Sequence, residues 1–203
     1  MGLEPFSAED PIFVDEDVLR DSHKPEDLLE RDRELQEYQS ALKPVIKGAR
    51  PRNIFLYGQT GVGKTVATQL IMERLQEDQK EYDNLDVRVI HVVCKNLNSS
   101  YQVAVKLVNE FREPNDKVPT TGYPPDTIYE FLWEHLKDVN ATHVLFVLDE
   151  VDAIGDDDDI LYELPRANDN GNVPVDETKV GVIGISNKFT FRDNLSARVK
   201  DSL

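Results

Sequence analysis

The sequence predicts an α/β domain with a parallel β-sheet and flanking helices. Four short apolar segments have the composition of buried strands, within residues 53–58, 86–93, 143–150 and 180–187. Apolar residues at three- and four-residue spacing, typical of helices, lie between the first three of these segments. Strands separated by helices pair in parallel through right-handed crossovers, so the polar residues after each strand gather along one edge of the sheet.

The first 30 residues are acidic and interrupted by prolines, so we expect an extended lead-in before a folded domain spanning residues 31–203. Helical spacing then predicts a helix within residues 31–47. Its buried face comprises Leu35, Tyr38, Leu42 and Val45. The sequence GARP ends this helix, and NIFLYG follows as the first strand.

Three further helices are predicted between the first and third strands. The first, KTVATQLIMERLQED, follows a glycine-rich loop and carries two apolar rows: Val66 and Leu70, and Ala67, Ile71 and Leu75. The second has Ser99 or Ser100 as its cap and buries Val103, Leu107 and Phe111. The third has Asp126 or Thr127 as its cap and buries Ile128, Phe131, Leu132 and Leu136. Residues 112–125, between the last two, form an irregular polar segment.

The composition indicates a soluble globular protein, with 39 acidic and 23 basic residues and a net charge of −16. The acidic excess is spread along the chain, with one dense block at residues 155–159, and such a surface suits a cytosol of high salt. No stretch approaches the ~20 apolar residues of a membrane span, so we expect a cytoplasmic protein with no membrane partner. The single cysteine, Cys94, lies in an apolar run and is expected to be buried and inert.

The loop after the first strand, LYGQTGVGKT, matches the pattern G-x-x-x-x-G-K-[ST] of nucleotide-binding phosphate loops. The backbone N–H groups of such a loop surround the phosphates, its lysine neutralises them, and its Ser or Thr hydroxyl ligates Mg²⁺. The predicted nucleotide-binding residues are Gly58, Gly61, Val62, Gly63, Lys64, Thr65 and Val66. A glycine turn that merely precedes a lysine is the alternative, but the strand and helix that flank this loop favour a nucleotide site.

The third strand ends in two carboxylates, Asp149 and Glu150. An aspartate at this position holds Mg²⁺ in phosphate-loop enzymes, so Thr65 and Asp149 are the predicted metal residues. A second carboxylate can polarise a water molecule for attack on the γ-phosphate. Small-molecule kinases do not need this group, because their substrate is the phosphate acceptor. The pair therefore favours hydrolysis over kinase activity, although an acidic loop start is the simpler interpretation of Glu150 alone.

Two later residues are candidates for the same site. Asn187 ends the fourth strand, where its amide could contact the γ-phosphate or the attacking water, but asparagine is also common in turns. Arg198 lies too far along the chain to reach its own pocket easily, and could instead reach the nucleotide of a neighbouring subunit. An exposed helix arginine is the simpler interpretation of Arg198.

Several stretches together resemble one family. LYGQTGVGKT, VLFVLDEVDAI, LYELPRAN, VGVIGISNKFTFRDNL and ARVKDSL occur in an order and spacing similar to those of the AAA+ domain of archaeal Orc1/Cdc6 replication initiators. The lead-in, from VLRDSH onward, resembles the family's adenine-side segment. The resemblance covers nearly the whole chain and implies an AAA+ fold of the P-loop NTPase class.

The resemblance also implies a function: ATP-dependent recognition of replication origins and assistance in loading a replicative helicase. ATP or ADP with Mg²⁺ would be the cofactor, and origin DNA, other initiator subunits and the helicase would be the partners. The family's functional residues then fall on Gly63, Lys64 and Thr65 (Walker A), Asp149 and Glu150 (Walker B), Asn187 (sensor 1) and Arg198 (arginine finger).

Residues 99–123 match the family's helical insertion, which contacts DNA. Within it, the candidate DNA contacts are Lys106, Arg112, Lys117, Thr120 and Thr121. A solvated helix and loop is the alternative for this segment.

The family continues beyond the residues that correspond to this chain, with a fifth core strand, a helical lid and a winged-helix domain. In the family's strand order, 5-1-4-3-2, the chain would supply four of the five core strands and neither of the other domains. We therefore expect weak DNA binding and weak or absent ATP hydrolysis by this chain alone. A nucleotide-gated binding module, or a truncated paralogue that acts with a full-length initiator, is the alternative to an ATPase.

Overall fold

The computed structural model describes residues 31–200. Its four strands form one parallel sheet in the order β1-β4-β3-β2, which confirms the predicted parallel sheet and, for these four strands, the order that the resemblance implies. The strands are β1 (Ile54–Tyr57), β2 (Val87–Val93), β3 (His143–Asp149) and β4 (Lys179–Ser186). The expected lead-in at residues 1–30 lies outside the described residues.

Seven α-helices accompany the sheet within residues 31–200: α1 (Asp32–Ile46), α2 (Lys64–Asp78), α3 (Ser100–Asn109), α4 (Pro125–Asp138), α5 (Asp159–Glu163), α6 (Phe191–Asn194) and α7 (Ala197–Lys200). Helix α2 has the predicted bounds, and α1 is one residue shorter at each end than its predicted span. Helices α5 and α6 were not predicted, and α7 was anticipated only where Arg198 was interpreted as a helix residue. All three are only four or five residues long, too short for a helical period to be visible in sequence.

Helices cover both faces of the sheet. On one face, α1 and α2 pack against Leu145 and Val147 of β3. On the other face, α3, α4 and α5 pack against Val144, Phe146 and Leu148 of the same strand. Successive side chains of a strand point to opposite faces, so every residue of β3 is buried. This arrangement explains why the strand is apolar throughout rather than alternating.

Of the two predicted helix caps, the one for α3 is confirmed and the one for α4 is wrong. Ser99 caps α3 as expected, with its hydroxyl accepting a hydrogen bond from the N–H of Gln102 at 3.3 Å. The cap predicted for α4 was wrong, because α4 begins at Pro125, before Asp126. Proline has no N–H and a fixed φ, so it suits the first position of a helix, where the N–H would lack an intrahelical acceptor. Asp126 instead lies in the first turn, where its charge favours the helix N-terminus.

The segment between α3 and α4 is irregular, as predicted, but it is anchored to the core. Asn109, at the end of α3, donates to the carbonyl of Val118 and accepts from its N–H, at 2.9 and 2.7 Å. Val118 is buried. Two backbone bonds from one side chain hold the loop against the helices. Among the described residues, no helix combines the length and apolar composition that a membrane crossing requires.

Candidate nucleotide-binding site

The glycine-rich loop connects β1 to α2 at the carboxyl edge of the sheet. Gly61 and Gly63 have φ values of 82° and 87°, in the left-handed region that favours glycine. Gly63 is also the N-cap residue of α2. The first N–H groups of a helix have no intrahelical acceptor, so those of α2 are available at the loop. Together with the helix dipole, they make this 15-residue helix a suitable anion site.

The positively charged side chain of Lys64 contacts the backbone at the start of the loop. Its ammonium group donates to the carbonyl oxygens of Gly58 and Gln59, at 3.0 and 2.8 Å. The amine therefore lies beside the same backbone turn that would surround a phosphate. Packing does not require glycine at position 58, because a Cβ there would lie 3.7 Å or more from the neighbouring atoms.

The structure brings Thr65 and Asp149 together although 84 positions separate them in the chain. The Thr65 hydroxyl donates to Asp149 Oδ2 at 2.7 Å, and Asp149 Oδ1 accepts from the N–H of Glu150 at 2.8 Å. Burial alone would raise the pKa of Asp149, which is 5% exposed. The neighbouring imidazole of His91, the Thr65 hydroxyl and the Glu150 N–H outweigh burial and lower that pKa, so Asp149 is a carboxylate at neutral pH.

These two oxygen-bearing side chains fit Mg²⁺. No group of three or more His, Cys, Asp or Glu side chains within residues 31–200 could hold a metal ion by itself. Mg²⁺ does not require such a group, since it keeps several water ligands and is bound through one or two carboxylates together with substrate phosphates. A hydroxyl and a carboxylate beside a phosphate loop provide that type of site.

Glu150 has an unusual backbone conformation. Its φ of 51° and ψ of 40° place it in the left-handed region, which costs a non-glycine residue about 1–2 kcal/mol. It precedes a short 3₁₀ turn, Val151–Ile154, and its carbonyl accepts from the N–H of Ala153 at 3.0 Å. Strained residues of this kind concentrate at functional sites, where the surrounding structure holds them in place. The turn redirects the chain immediately after the strand that carries Asp149.

Asn187 follows the last residue of β4 and is partly buried. Its N–H donates to Asp152 Oδ1 at 3.1 Å, which ties the end of β4 to the 3₁₀ turn after Glu150. The neighbouring Lys188 lies 3.4 Å from the other oxygen of Asp152. Since β3 and β4 are adjacent and parallel, Asn187 lies at the same sheet edge as Asp149 and Glu150.

A cavity of about 470 Å³ adjoins the phosphate loop. Its walls come from α1, β1 and the start of α2, and they include Leu35, Tyr38, Phe55, Tyr57, Val62, Gly63, Lys64 and Ala67. This volume lies within the range of ~300–1,000 Å³ that is usual for small-molecule sites. A partly aromatic chamber beside a phosphate loop has the size and chemistry for a nucleoside.

Arg198 lies on α7 and packs against α5. Its guanidinium forms an ion pair with Asp159 and lies 3.7 Å from a carboxylate oxygen of Asp158. It also lies over the ring of Tyr162, 5.0 Å from the centroid. The structure therefore places this candidate arginine finger beside acidic and aromatic side chains of its own chain, not among the residues of the glycine-rich loop.

The five candidate DNA contacts differ in how available they are. Arg112 is the least exposed, because its guanidinium donates to His135 at 3.0 Å and lies 4.8 Å from the centre of the Phe131 ring. Burial first, and then the positive charge of Arg112, lower the pKa of His135, which keeps the imidazole neutral and able to accept this bond. Lys106 forms an exposed ion pair with Glu110 at 3.4 Å. The remaining candidates are exposed and lie on the loop between α3 and α4: Lys117, Thr120 and Thr121.

Two neighbours of the site, His91 and Asp152, were not predicted from the sequence. His91 lies on β2 with its Nε2 3.7 Å from Asp149 Oδ2, and Asp152 holds the N–H of Asn187. Neither residue lies in a motif that predicts such a contact. His91 is one polar residue in an apolar strand, and Asp152 is one carboxylate among many, so only the pairing of strands identifies them.

A family model described as AAA domain matches residues 48–186. ORC1-type DNA replication protein 1 of Haloarcula marismortui is 64% identical over 203 residues, covering all of this chain and 47% of the relative. An ORC1-type DNA replication protein of Thermococcus kodakarensis is 38% identical over 195 residues, covering 95% of this chain and 46% of the relative. The chain thus spans about half the length of the curated relatives it matches.

The solved structures that resemble this chain have the same fold. The Aeropyrum pernix ORC1 protein in complex with DNA has a TM-score of 0.77 and 31% identity, over 92% of this chain and 46% of that one. The Aeropyrum pernix ORC2 protein, solved as ADPNP–ADP complexes, has a TM-score of 0.75 over 94% of this chain and 50% of that one. Its identity is 20%, so this second likeness concerns the fold alone.

Proposed function

Since the chain belongs to the AAA domain family, we propose that it binds ATP with Mg²⁺ as the nucleotide-binding core of an ORC1-type DNA replication protein. We assign this core to residues 31–203. The observation that carries the proposal is the 2.7 Å hydrogen bond between Thr65 and Asp149 beside the phosphate loop. It joins the two halves of a metal–phosphate site from distant parts of the sequence.

Each part of the nucleotide has a matching part of the site. The N–H groups at the start of α2 and the ammonium of Lys64 bind the phosphates. Thr65 and Asp149 would hold Mg²⁺, and the ion would supply positive charge beside the phosphate oxygens. The nucleoside occupies the cavity between α1 and β1, with Tyr38 and Phe55 in its walls.

The same site supports hydrolysis. The Glu150 carboxylate accepts a proton from the attacking water, and the Asn187 amide orients that water or the γ-phosphate. Arg198 of a neighbouring subunit supplies a positive charge to the transition state in the arrangement that the family resemblance implies. The overall reaction converts ATP and water to ADP and phosphate.

A nucleotide-gated binding module with little turnover is the second candidate function. The observation in its favour is the position of Arg198, whose guanidinium is paired with Asp159 and lies over Tyr162 of the same chain. An arginine finger must leave these contacts before it can reach a second nucleotide. Slow or partner-dependent hydrolysis would follow from that requirement.

We further propose that the protein acts in the cytoplasm on origin DNA, together with other initiator subunits and a replicative helicase. A DNA-bound ORC1 protein is among its structural relatives. For this chain, DNA contact rests on the exposed loop between α3 and α4, where Lys117, Thr120 and Thr121 can reach phosphates. Arg112 contributes less, because its guanidinium is already used within the protein.

Nucleotide titration tests the proposal directly. In the presence of Mg²⁺, Lys64→Ala should weaken the binding of a fluorescent ATP analogue by about 10-fold to 100-fold, the value of a hydrogen bond to a charged group. Lys43→Ala, which removes an exposed lysine from α1, is the matched control and should bind normally. Equal affinity of the Lys64 variant and the wild-type protein would refute the assignment of the phosphate loop.

A second variant separates the two candidate functions. Glu150→Gln should bind ATP like the wild type and lose hydrolysis, because the amide fills the same space and cannot accept the proton. Phosphate release by the two proteins gives the comparison. A wild-type protein that binds ATP without turnover would favour the binding module. A Glu150→Gln variant with wild-type turnover would exclude Glu150 as the base.

A further inference from the structure

We infer that Asp152 is a positioning residue for ATP hydrolysis, holding Asn187 in place relative to Glu150. The inference rests on the proposed function, because it concerns the same site. Asp152 lies in the 3₁₀ turn that follows β3, and its side chain is 12% exposed. It has no role in the assignments made from the phosphate loop and the Walker B motif.

Both oxygens of the Asp152 carboxylate contact the residues directly after β4. Oδ1 accepts the N–H of Asn187 at 3.1 Å, and Oδ2 lies 3.4 Å from the ammonium of Lys188. These contacts join positions that are 35 residues apart in the chain. A largely buried carboxylate with both oxygens directed at one neighbouring segment fixes that segment in position and orientation.

The bond to Asn187 replaces a strand–strand hydrogen bond. The pairing of β4 with β1 extends to Ser186, and its pairing with β3 extends to Gly184. Asn187 lies beyond both, so its N–H is outside the ladder that positions the strand. Asp152 supplies the acceptor at this point, and the orientation of the Asn187 backbone, which carries the side-chain amide, depends on it.

The turn that contains Asp152 and follows Glu150 is also fixed in position. Glu150 begins the same turn in the left-handed conformation, and its carbonyl accepts from the N–H of Ala153 at 3.0 Å. Val151 and Ile154 anchor the turn in the core, with 0% and 2% exposure. Glu150 and Asp152 therefore belong to one fixed turn. The carboxylate of Glu150 and the amide of Asn187 are held relative to each other through Asp152.

Catalysis by a general base and a polar orienting group depends on their mutual placement, and a displacement of about 1 Å can cost about 100-fold in rate. Removing the Asp152 carboxylate frees Asn187 without touching the phosphate loop, Thr65 or Asp149. ATP binding should therefore persist while turnover falls. Because a smaller folded fraction would also lower the apparent kcat at constant KM, kcat is expressed per ATP-binding site, counted by titration with the fluorescent ATP analogue.

Steady-state ATPase kinetics of the full 203-residue protein test the inference. Asp152→Ala should lower kcat by about 10-fold to 100-fold while leaving the KM for ATP within about twofold. Asp152→Asn retains an oxygen that can accept the Asn187 N–H and should recover most of the rate. Lys188→Ala removes only the ion pair, whose lysine is 62% exposed, and should behave like the wild type.

A readout that does not depend on turnover accompanies the kinetics. Amide hydrogen exchange at Asn187 should accelerate in Asp152→Ala, because its acceptor is lost, and should stay slow in Asp152→Asn and Lys188→Ala. Unchanged exchange at Asn187 in Asp152→Ala would overturn the inference, even in a protein that turns over little ATP. Wild-type kcat in that variant would also overturn it.

Failure of the proposed function has a different signature. If Lys64→Ala binds the ATP analogue as well as the wild type, or if Glu150→Gln hydrolyses ATP at the wild-type rate, the assignment of the site is at fault. If both of those variants behave as expected and Asp152→Ala has normal kcat, only the role of Asp152 is refuted.

Discussion

A methyl group added at Gly184 should destabilise the domain by forcing Phe55 out of its position. Gly184 of β4 lies beside Phe55 of β1 in the sheet. An ideal Cβ at residue 184 would lie 2.6 Å from Cε2 and Cζ of the Phe55 ring. Carbon atoms in contact are normally about 3.5–4.0 Å apart, so the ring would have to move by about 1 Å. That ring stacks on Phe191 with a centroid distance of 6.1 Å, and Phe55 lines the candidate nucleotide cavity.

The magnitude follows from two opposing effects. Overpacking of a filled core costs about 1–3 kcal/mol. Alanine is favoured over glycine within a strand by about 0.5–1 kcal/mol, because glycine loses more conformational freedom on folding. The midpoints of these two ranges differ by about 1 kcal/mol, so we expect Gly184→Ala to reduce the free energy of unfolding by about that amount and to lower Tm by about 2–4 °C in a domain of this size.

Thermal unfolding followed by circular dichroism measures the change, and a double-mutant cycle identifies its cause. Phe55→Leu shortens the side chain that the new methyl group would meet, so Gly184→Ala should cost less in that background, by about 0.5 kcal/mol or more. Gly171→Ala is the control. Gly171 has a φ of 73° and no atom within 4 Å of an added Cβ, so its variant carries backbone strain without a clash and should not couple to Phe55.

Two results would refute this reasoning. The first is a Gly184→Ala protein that is as stable as the wild type or more stable. The second is strict additivity of Gly184→Ala and Phe55→Leu, which would mean that the cost arises elsewhere.

Three further predictions concern other parts of the chain. Asn168→Ala should lower the free energy of unfolding in urea by about 2–4 kcal/mol, because this buried side chain makes three hydrogen bonds to the backbone around the start of β4. Burial lowers the pKa of His143, so the unfolded chain binds more protons; stability should fall as the pH drops below about 6.5, and His143→Gln should flatten that dependence. In fluorescence anisotropy with a labelled duplex, Lys117→Ala should reduce the slope of log K against log salt by about 0.9, whereas Arg112→Ala should mainly lower stability.

Local features of the sequence account for the parts of the fold that were predicted well. The apolar spacing of α2 and the glycine pattern before it involve neighbouring residues only, and the helix has the predicted bounds. Gly61 and Gly63 are glycines because the loop requires left-handed backbone there, a property of each residue itself. The apolar composition of residues 86–93 predicted a strand covered on both faces, and that prediction was wrong. Strand β2 lies at the edge of the sheet and exposes Arg88, His91 and Val93, whereas the interior strand β3 is the one buried on both faces.

Features that depend both on neighbouring residues and on tertiary contacts were predicted less well. The start of α4 was misplaced because Asp126 and Thr127 are good capping residues, while the preceding proline pair fixes the backbone and begins the helix earlier. Phe111 and Phe131 were expected to be buried but are only partly so. Both rings make cation–π contacts, Phe111 with Arg88 and Phe131 with Arg112, which helical spacing does not reveal.

The sequence by itself determined the strand–loop–helix unit and the residue types that a nucleotide site requires, because each is encoded over a few neighbouring residues. Only the tertiary structure decided which side chains meet. The contact of Thr65 with Asp149 spans 84 positions, and that of Asp152 with Asn187 spans 35. Such contacts depend on strand order, register and the packing of helices on each face, which involve the whole chain at once. The need for glycine at position 184 also arises from the tertiary structure, because the ring of Phe55 on the neighbouring strand occupies the space that a Cβ would fill.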